Sequence, residues 1–170
     1  MTPEPLLKRW CAGVFAALAV ALVLAQTWYR TAEVRLAGVL VDAVTSTGVH
    51  VAARRQTVYF GLGGDTPFGL RMTPECTSAF LLVPLLLVAA LMVGLRPGVT
   101  GRVAVALLAA AVAVVVVNQL RVLTLVGLIG WLGTDRGYYW GHTLFGSMVS
   151  VFGGAAALVL FVALATRAAR

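Results

Sequence analysis

Hydrophobic residues dominate four stretches of this sequence, at about residues 10–28, 78–95, 103–132 and 142–166. Each stretch is close to the roughly 20 apolar residues that a helix needs to cross a bilayer core. The third is long enough to tilt, and dividing it near residues 118–121 would leave two pieces too short to span separately. The pattern predicts an all-α polytopic membrane protein with about four transmembrane helices, and five helices is the main alternative.

The polar loop between the first two stretches, residues 30–75, has secondary-structure signals of its own. In residues 31–45 the apolar side chains recur at helical spacing, and Arg35 and Asp42 lie off that face. Such a segment is typical of a small amphipathic helix that lies along a membrane interface.

A β-hairpin is predicted in the second half of the same loop. Residues 57–62 and 67–72 are short β-prone runs, and the sequence GGDT at residues 63–66 supplies a turn between them. Neither a repeat nor a linker marks a second domain, so residues 1–170 are expected to form a single integral membrane domain.

Composition agrees with a membrane protein, because 61% of the residues are hydrophobic and 11% are charged, whereas soluble domains average about 25% charged. The net charge is +7, and six of the basic residues fall on one side of a four-helix arrangement: Lys8, Arg9, Arg96, Arg102, Arg167 and Arg170. The positive-inside rule assigns that side to the cytoplasm of a cell membrane, with both termini there and the 30–75 loop outside. The excess positive charge is therefore explained by the orientation of the helices in the membrane. We expect membrane lipid around the chain, and we do not expect nucleic acid as a partner.

The N-terminal stretch also has features of a secretory signal. Lys8 and Arg9 precede an apolar run, and residues 23–25 offer a weak cleavage site. The run is long for a signal, and cleavage would leave an odd number of spans. We therefore expect the first helix to be retained.

Arg121 is the one charged residue deep inside a long apolar stretch. Such a charge is costly in a membrane, and its default meaning is a functional site with a nearby partner. A count of about nineteen residues from Arg102, at a rise of about 1.5 Å each, places Arg121 in the outer leaflet. Asn118, Arg121 and Thr124 are spaced by three and predict a polar stripe facing the helix bundle; the alternative is an arginine that snorkels to the outer headgroups.

Cys76 lies just before the second apolar stretch, at its outer end. Thr77 or Ser78 is placed to cap that helix, and a thiol near a helix N-terminus is favoured in its nucleophilic thiolate form. The adjacent Glu75 opposes this effect. Cys11 lies near the opposite membrane face, too far away for a disulfide, so Cys76 is predicted to be a free thiol. The alternative is a buried, inert cysteine.

His142 begins the fourth apolar stretch, also at its outer end. Gly146, Ser150 and Gly154 follow at four-residue intervals, and a stripe of small residues lets another helix approach closely. Because His142 shares that face, its imidazole is predicted to point into the bundle. The alternative is an interfacial histidine beside the aromatic residues at 138–140.

Topology thus predicts that Cys76, Arg121 and His142 share one depth on the outer side of the membrane. A thiolate attacks a carbonyl, an imidazole moves protons, and a fixed cation stabilises the oxyanion or the thiolate; together these are the parts for cysteine acyl transfer. One cysteine and one histidine fall short of a zinc ligand set, and no carboxylate cluster joins them. We therefore expect neither a metal nor a cofactor.

Three motifs, taken in order, resemble the exosortase/archaeosortase family: Glu75-Cys76-Thr77-Ser78, then Asn118-x-x-Arg121, then His142 near the start of a glycine-containing final helix. The resemblance covers roughly residues 58–154. It implies a membrane cysteine protease or transpeptidase that cleaves C-terminal sorting signals of secreted proteins at the outer face of the plasma membrane. It also implies roles for six residues: Cys76, Arg121 and His142 as catalytic residues, and Asn118, Glu75 and Thr77 as supporting or substrate-binding residues.

The resemblance further implies substrates that carry a short C-terminal motif, one transmembrane helix and a basic tail. The chain is short for this family, so a homo-oligomer is one way to complete the substrate groove. Cleavage would leave a thioester on Cys76, which water, an amine or a lipid then resolves. The hairpin at residues 57–72 is expected to hold the extended substrate by strand addition.

Two other interpretations stay open at this point. In a non-enzymatic membrane assembly or accessory protein, Arg121 would be a structural partner of the Asn118 region and Cys76 would be incidental. In a quinone-linked thiol oxidoreductase, a dithiol such as C-x-x-C would be needed, and the sequence has none.

Overall fold

Helices make up most of the chain, which a computed structural model describes at residues 4–46, 48–64 and 67–167. The helices are α1 (Glu4–Leu24), α2 (Gln26–Val44), α3 (Ala79–Leu95), α4 (Thr100–Leu132), α5 (Thr134–Tyr138) and α6 (Gly146–Thr166). A π-helical segment, Tyr139–Phe145, joins α5 to α6. Three strands lie between α2 and α3: β1 (Val49–Ala52), β2 (Thr57–Phe60) and β3 (Phe68–Arg71).

Two helical segments in the described part of the chain are long and apolar enough to cross a membrane, Thr100–Leu132 and Thr134–Thr166. A broken pair of helices, Trp10–Leu24 with Gln26–Val44, becomes a third candidate if the pair is counted as one span. The chain is therefore a mostly helical protein with two or three candidate spans, consistent with a membrane protein. α3 is apolar but has only 17 residues.

The first apolar stretch departs from the prediction of one helix over residues 10–28. α1 ends at Leu24, and a new helix begins at Gln26. The apolar run stops at this point because Gln26 and Thr27 are polar. A helix that is apolar all round thus gives way to one that is apolar along one face only.

The predicted elements of the 30–75 loop are present with different limits. The helix expected at residues 31–45 begins earlier, at Gln26, and its Arg35 and Asp42 side chains are exposed as predicted. β2 and β3 form the predicted antiparallel hairpin, with Phe60 opposite Phe68. β1 adds a third strand, in the order β1-β2-β3. Residues 65 and 66 of the predicted turn lie outside the described residues.

The chain divides into two compact units. The first comprises Met1–Ala25, Ser78–Val115 and Gly153–Arg170, and the second comprises Gln26–Thr77 and Val116–Phe152.

The first unit is built on the packing of α1 along α3. A Cβ added at Gly94, near the end of α3, would lie 3.8 Å from the Cβ of Ala12, near the start of α1. The two helices therefore run antiparallel. In the same unit, Arg102 Nη1 donates a hydrogen bond to the carbonyl oxygen of Arg167 at 2.7 Å, which joins the start of α4 to the end of α6.

The second unit has one apolar core, to which α2, the sheet and the second half of α4 all contribute. Its buried members are Val34, Ala37, Val41, Val58, Phe60, Met72, Val122, Leu125, Val126 and Ile129. Burial of this set fixes the sheet and α2 against α4, because apolar burial is the dominant favourable term in folding.

Glycines let the segment before α6 pack directly against α4. A Cβ at Gly137 would lie 2.5 Å from the Cα of Ile129, and a Cβ at Gly141 would lie 2.5 Å from Leu125 Cδ1. Gly146 is the next small residue on this face. The step from Gly141 to Gly146 is one residue longer than an α-helical repeat, and it falls in the π-helical segment, whose hydrogen bonds span one additional residue.

We predict that Gly137→Ala lowers the free energy of unfolding by about 1–3 kcal/mol, because the added methyl group overpacks against backbone atoms of α4. Gly130→Ala is the matched control, since nothing lies within 4 Å of the added Cβ. The control should be neutral or stabilise by up to about 1 kcal/mol. Thermal unfolding in detergent, followed by circular dichroism, compares the two, and equal melting temperatures would contradict this packing.

Candidate active site

Cys76 ends a 3₁₀ turn, Pro74–Cys76, that follows β3. Its backbone N–H donates to the carbonyl oxygen of Thr73 at 3.0 Å, and its thiol is free and half-buried. α3 begins only at Ala79, and the Ser78 side chain makes no capping hydrogen bond. Of the two predicted caps, Thr77 or Ser78, Ser78 occupies the N-cap position without a capping bond from its side chain, and the thiol lies ahead of the first turn of α3.

The Arg121 guanidinium contacts polar atoms from two other segments. Its Nη1 donates to Ser150 Oγ at 3.1 Å, and its Nη2 lies 3.8 Å from Cys76 Sγ. Ser150 Oγ in turn donates to the carbonyl oxygen of Gly146 at 2.9 Å, which leaves the hydroxyl oxygen as an acceptor for the guanidinium. Arg121 is thus bound by protein groups of the second unit.

Gly146 lies directly against the guanidinium of Arg121. A Cβ at this position would be 3.0 Å from Arg121 Nε and 3.2 Å from Nη2. Two members of the predicted small-residue stripe, Gly146 and Ser150, therefore contact Arg121. The third, Gly154, contacts Leu81 within the first unit, where a Cβ would lie 3.1 Å from Leu81 Cδ2.

The polar stripe predicted on α4 is shorter than expected. Asn118 is buried, and its Nδ2 donates to Glu33 Oε1 at 3.1 Å. Thr124 is exposed, and its hydroxyl donates to the carbonyl oxygen of Leu120 in its own helix at 2.8 Å. Each three-residue step drifts by about 60° around a helix of 3.6 residues per turn, so the second step carries Thr124 away from Asn118.

Glu33 is a site residue that the sequence reasoning missed. Its side chain is 4% exposed, and it accepts hydrogen bonds from Asn118 Nδ2 and from Thr77 Oγ1. The sequence does contain a signal for it. Glu33 precedes Ala37 and Val41 at four-residue steps, which places it on the buried face of α2 rather than on the polar face.

Glu75, predicted as a supporting residue, is exposed at the 3₁₀ turn. Hydrogen bonds from its own backbone N–H and from the Thr73 side chain, helped by the positive charge of Arg30, hold the pKa of the Glu75 carboxyl below its usual value. A carboxylate of this kind stays ionised at neutral pH. Glu75 is therefore not suited to supply a proton to a reaction at Cys76.

His142 lies inside the π-helical segment, whereas the sequence placed it at the start of the last helix. Its half-buried ring stacks on Tyr138, with ring centroids 5.1 Å apart and planes 6° from parallel. Tyr138 also contacts Phe68 of β3, with centroids 5.9 Å apart. Tyr138 therefore lies in contact with both the imidazole of His142 and the sheet.

A cavity of about 280 Å³ joins these groups within the second unit. Cys76, Arg121, His142 and Asn118 all lie on its wall, together with Tyr138 and all of β3. Much of the remaining wall is apolar: Val34, Ala37, Val58, Met72, Val122 and Leu125. A concave, mostly apolar cavity with a few convergent polar groups is the usual form of a ligand or substrate site.

Comparisons with protein-family models, with curated proteins and with solved structures found no match to this chain. Its chemistry therefore has to be inferred from the site itself. A guanidinium beside a thiol stabilises the thiolate and any oxyanion that forms nearby, and an imidazole on the same wall can carry a proton. No group of three or more His, Cys, Asp or Glu side chains that could hold a metal occurs within residues 4–46, 48–64 and 67–167.

We predict that Gly146→Ala slows the alkylation of Cys76 by iodoacetamide about tenfold, because the added methyl group is too close to the Gly141 carbonyl oxygen and the Arg121 guanidinium and displaces the guanidinium from the thiol. That factor corresponds to about 1.4 kcal/mol, within the range of a charge-assisted hydrogen bond. The rate is measured at pH 7 in a Cys11→Ala background, where Cys76 is the only thiol. Gly127→Ala, which adds a methyl group with no atom within 4 Å, is the control. Equal rates in both variants would contradict the contact.

Proposed function

We propose that this chain is a membrane-embedded cysteine protease or transpeptidase of the exosortase type, which cleaves C-terminal sorting signals of secreted proteins. The observation that carries the proposal is the separation of 3.8 Å between Cys76 Sγ and Arg121 Nη2, on a cavity wall that also includes His142. A nucleophile, a fixed cation and a proton carrier at one cavity are the groups that acyl transfer requires.

In the proposed reaction, His142 takes the proton of the Cys76 thiol, and the thiolate attacks the carbonyl carbon of the scissile peptide bond. Arg121 stabilises the resulting oxyanion. The C–N bond then breaks, the leaving amine takes the proton from His142, and a thioester remains on Cys76. Water, an amine or a lipid hydroxyl attacks this thioester, His142 accepts and returns the attacking group's proton, and the thiol is restored.

The proposal includes four membrane spans, with the active site facing outwards from the plasma membrane and both termini in the cytoplasm. The spans are α1, α3, α4 and the segment Thr134–Thr166. The antiparallel packing of α1 on α3 supports the first two, although α3 has 17 residues and is about 25 Å long, which requires local thinning of the bilayer. The contact between Arg102 and Arg167 supports one basic, cytoplasmic end.

The open edge of β3 supports an extended peptide as the substrate. Met72 N–H donates to the carbonyl oxygen of Gln56, which places Gln56 and Met72 at a hydrogen-bonded position of the ladder, although the Gln56 N–H donates to Ala53 instead. Antiparallel pairs alternate in this property, so Val58–Leu70 and Phe60–Phe68 are hydrogen-bonded as well.

The backbone N–H and C=O groups of Gly69 and Arg71 consequently point away from β2. No strand lies beyond β3 in the described part of the chain, and this edge lines the cavity that contains Cys76. A substrate strand paired with Gly69 and Arg71 would be bound through its backbone at the wall of the catalytic cavity.

We predict that Cys76→Ala abolishes processing, whereas Cys11→Ala leaves it unchanged, because the second thiol lies on α1 away from the proposed chemistry. The measurement quantifies the C-terminal peptides of secreted proteins from host cells that produce either variant or the parent chain. At least one protein should keep an apolar helix and basic tail only in the Cys76→Ala cells. Identical C-termini in all three strains would overturn the proposal and favour an accessory role.

We predict that Arg71→Pro slows the processing of that substrate about two- to tenfold, the equivalent of one lost hydrogen bond of about 0.5–1.5 kcal/mol. Proline removes only an N–H that faces away from β2, a position where an edge strand tolerates it. Arg71→Ala keeps the N–H and is the matched control for the lost side chain. Equal rates for the two variants, at equal melting temperatures, would show that β3 does not pair with the substrate.

A further inference from the structure

We propose that Glu33 is a positioning residue that sets the separation between the Cys76 thiol and the Arg121 guanidinium. The inference rests on the proposed function of those two residues, and it concerns a buried carboxylate that the proposed reaction does not use. Glu33 acts through the residues next to each of them, Thr77 and Asn118.

The first half of the arrangement holds the thiol. Thr77 directly follows Cys76, and its hydroxyl donates to Glu33 Oε2. On the other side of the thiol, the Cys76 N–H donates to the carbonyl oxygen of Thr73. The turn that carries the thiol is therefore fixed on both sides, by its own backbone before Cys76 and by α2 after it.

The second half holds the helix that carries the cation. Asn118 Nδ2 donates to Glu33 Oε1 at 3.1 Å, and Asn118 precedes Arg121 by about one turn of α4. One carboxylate thus links α2, the 3₁₀ turn and α4. A change at Glu33 would alter the distance between the turn and α4, and with it the 3.8 Å separation of Cys76 Sγ from Arg121 Nη2.

Burial makes this linkage rigid. Thr77 is 5% exposed and Asn118 is 8% exposed, so water cannot readily replace Glu33 as their acceptor. A buried donor that loses its acceptor costs about 1–3 kcal/mol. The backbone of α2 is itself held in place by Val34, Ala37 and Val41, which are among the most buried residues of the second unit.

Whether replacement of Glu33 speeds or slows the alkylation of Cys76 distinguishes a positioning role from a purely electrostatic one. A negative charge close to Cys76 disfavours the thiolate, so its removal would speed alkylation if Glu33 acted through its charge alone. Positioning predicts the opposite. Loss of the two hydrogen bonds loosens the contact between the thiol and the guanidinium, and alkylation becomes slower.

The test measures alkylation of Cys76 by iodoacetamide across a range of pH, in the 170-residue chain with a Cys11→Ala background. We expect Glu33→Ala to react about tenfold more slowly at pH 7, with a profile displaced to higher pH. Glu33→Gln should recover most of the rate, because its amide can accept from Asn118 and donate to the Thr77 hydroxyl. Asp42→Asn removes an exposed charge from the same helix and should match the parent.

Thr77→Val is the second variant, used in case Glu33→Ala does not fold. It is nearly isosteric, it leaves the carboxylate in place, and it should also slow alkylation. If both Glu33→Ala and Thr77→Val react as fast as the parent or faster, the inference is overturned; if only Thr77→Val folds, its rate alone decides.

Arg121→Lys distinguishes this failure from failure of the proposed function. A point-charge ammonium does not reproduce the planar guanidinium, so Arg121→Lys should slow alkylation whatever Glu33 does. A slow Arg121→Lys variant beside a fast Glu33→Ala variant would overturn the positioning role alone. An unchanged Arg121→Lys variant would instead remove the cation from the proposed chemistry.

Discussion

The charge of Arg121 is the constraint on which the rest of the second unit depends. A guanidinium on a largely apolar helix has to be solvated by other groups of the protein, because apolar side chains and lipid tails offer no polar atoms. Ser150 Oγ and Cys76 Sγ supply them, from two segments far apart in sequence. The segment that carries Ser150 lies close to Arg121 because position 146 has no side chain. Gly146, Ser150, the turn that carries Cys76 and the Arg121 guanidinium therefore depend on one another.

The acidic partner of this arrangement is equally constrained. Glu33 lies on the buried face of α2 with Ala37 and Val41, and its carboxylate is tolerated because a hydroxyl and an amide donate to it. The cation and the carboxylate are held by different polar groups: Arg121 by Ser150 and Cys76, and Glu33 by Thr77 and Asn118. The site therefore has two anchoring points rather than one.

The sequence alone predicted the features that follow from a regular spacing of apolar residues or from a single charge in an apolar run. α4 is one uninterrupted helix because its apolar run is continuous, and the hairpin follows from two β-prone runs with a turn between them. Arg121 stands out because it is the only charge inside such a run. Its contact with Cys76 was anticipated only as a shared depth, since a sequence fixes depth along a helix but not the direction in which neighbouring helices face.

Other features depend on tertiary contacts that a sequence does not encode locally. Glu33 was not singled out from the sequence because a carboxylate is seldom buried, and groups that make its burial possible come from residues 77 and 118. Thr124 matched a three-residue spacing that drifts off the face within two steps. The break after Leu24 lies at a helix boundary, and such boundaries are the least determined part of any helix.

The π-helical segment Tyr139–Phe145 has a consequence for how related chains would be recognised. A π turn contains one residue more than an α turn, and inserting or deleting a single residue converts one into the other while the flanking helices persist. Relatives with the same site can therefore differ by one residue between the positions equivalent to Gly141 and Gly146. A sequence motif that requires a fixed number of residues between these two positions would therefore fail to group proteins that have the same site.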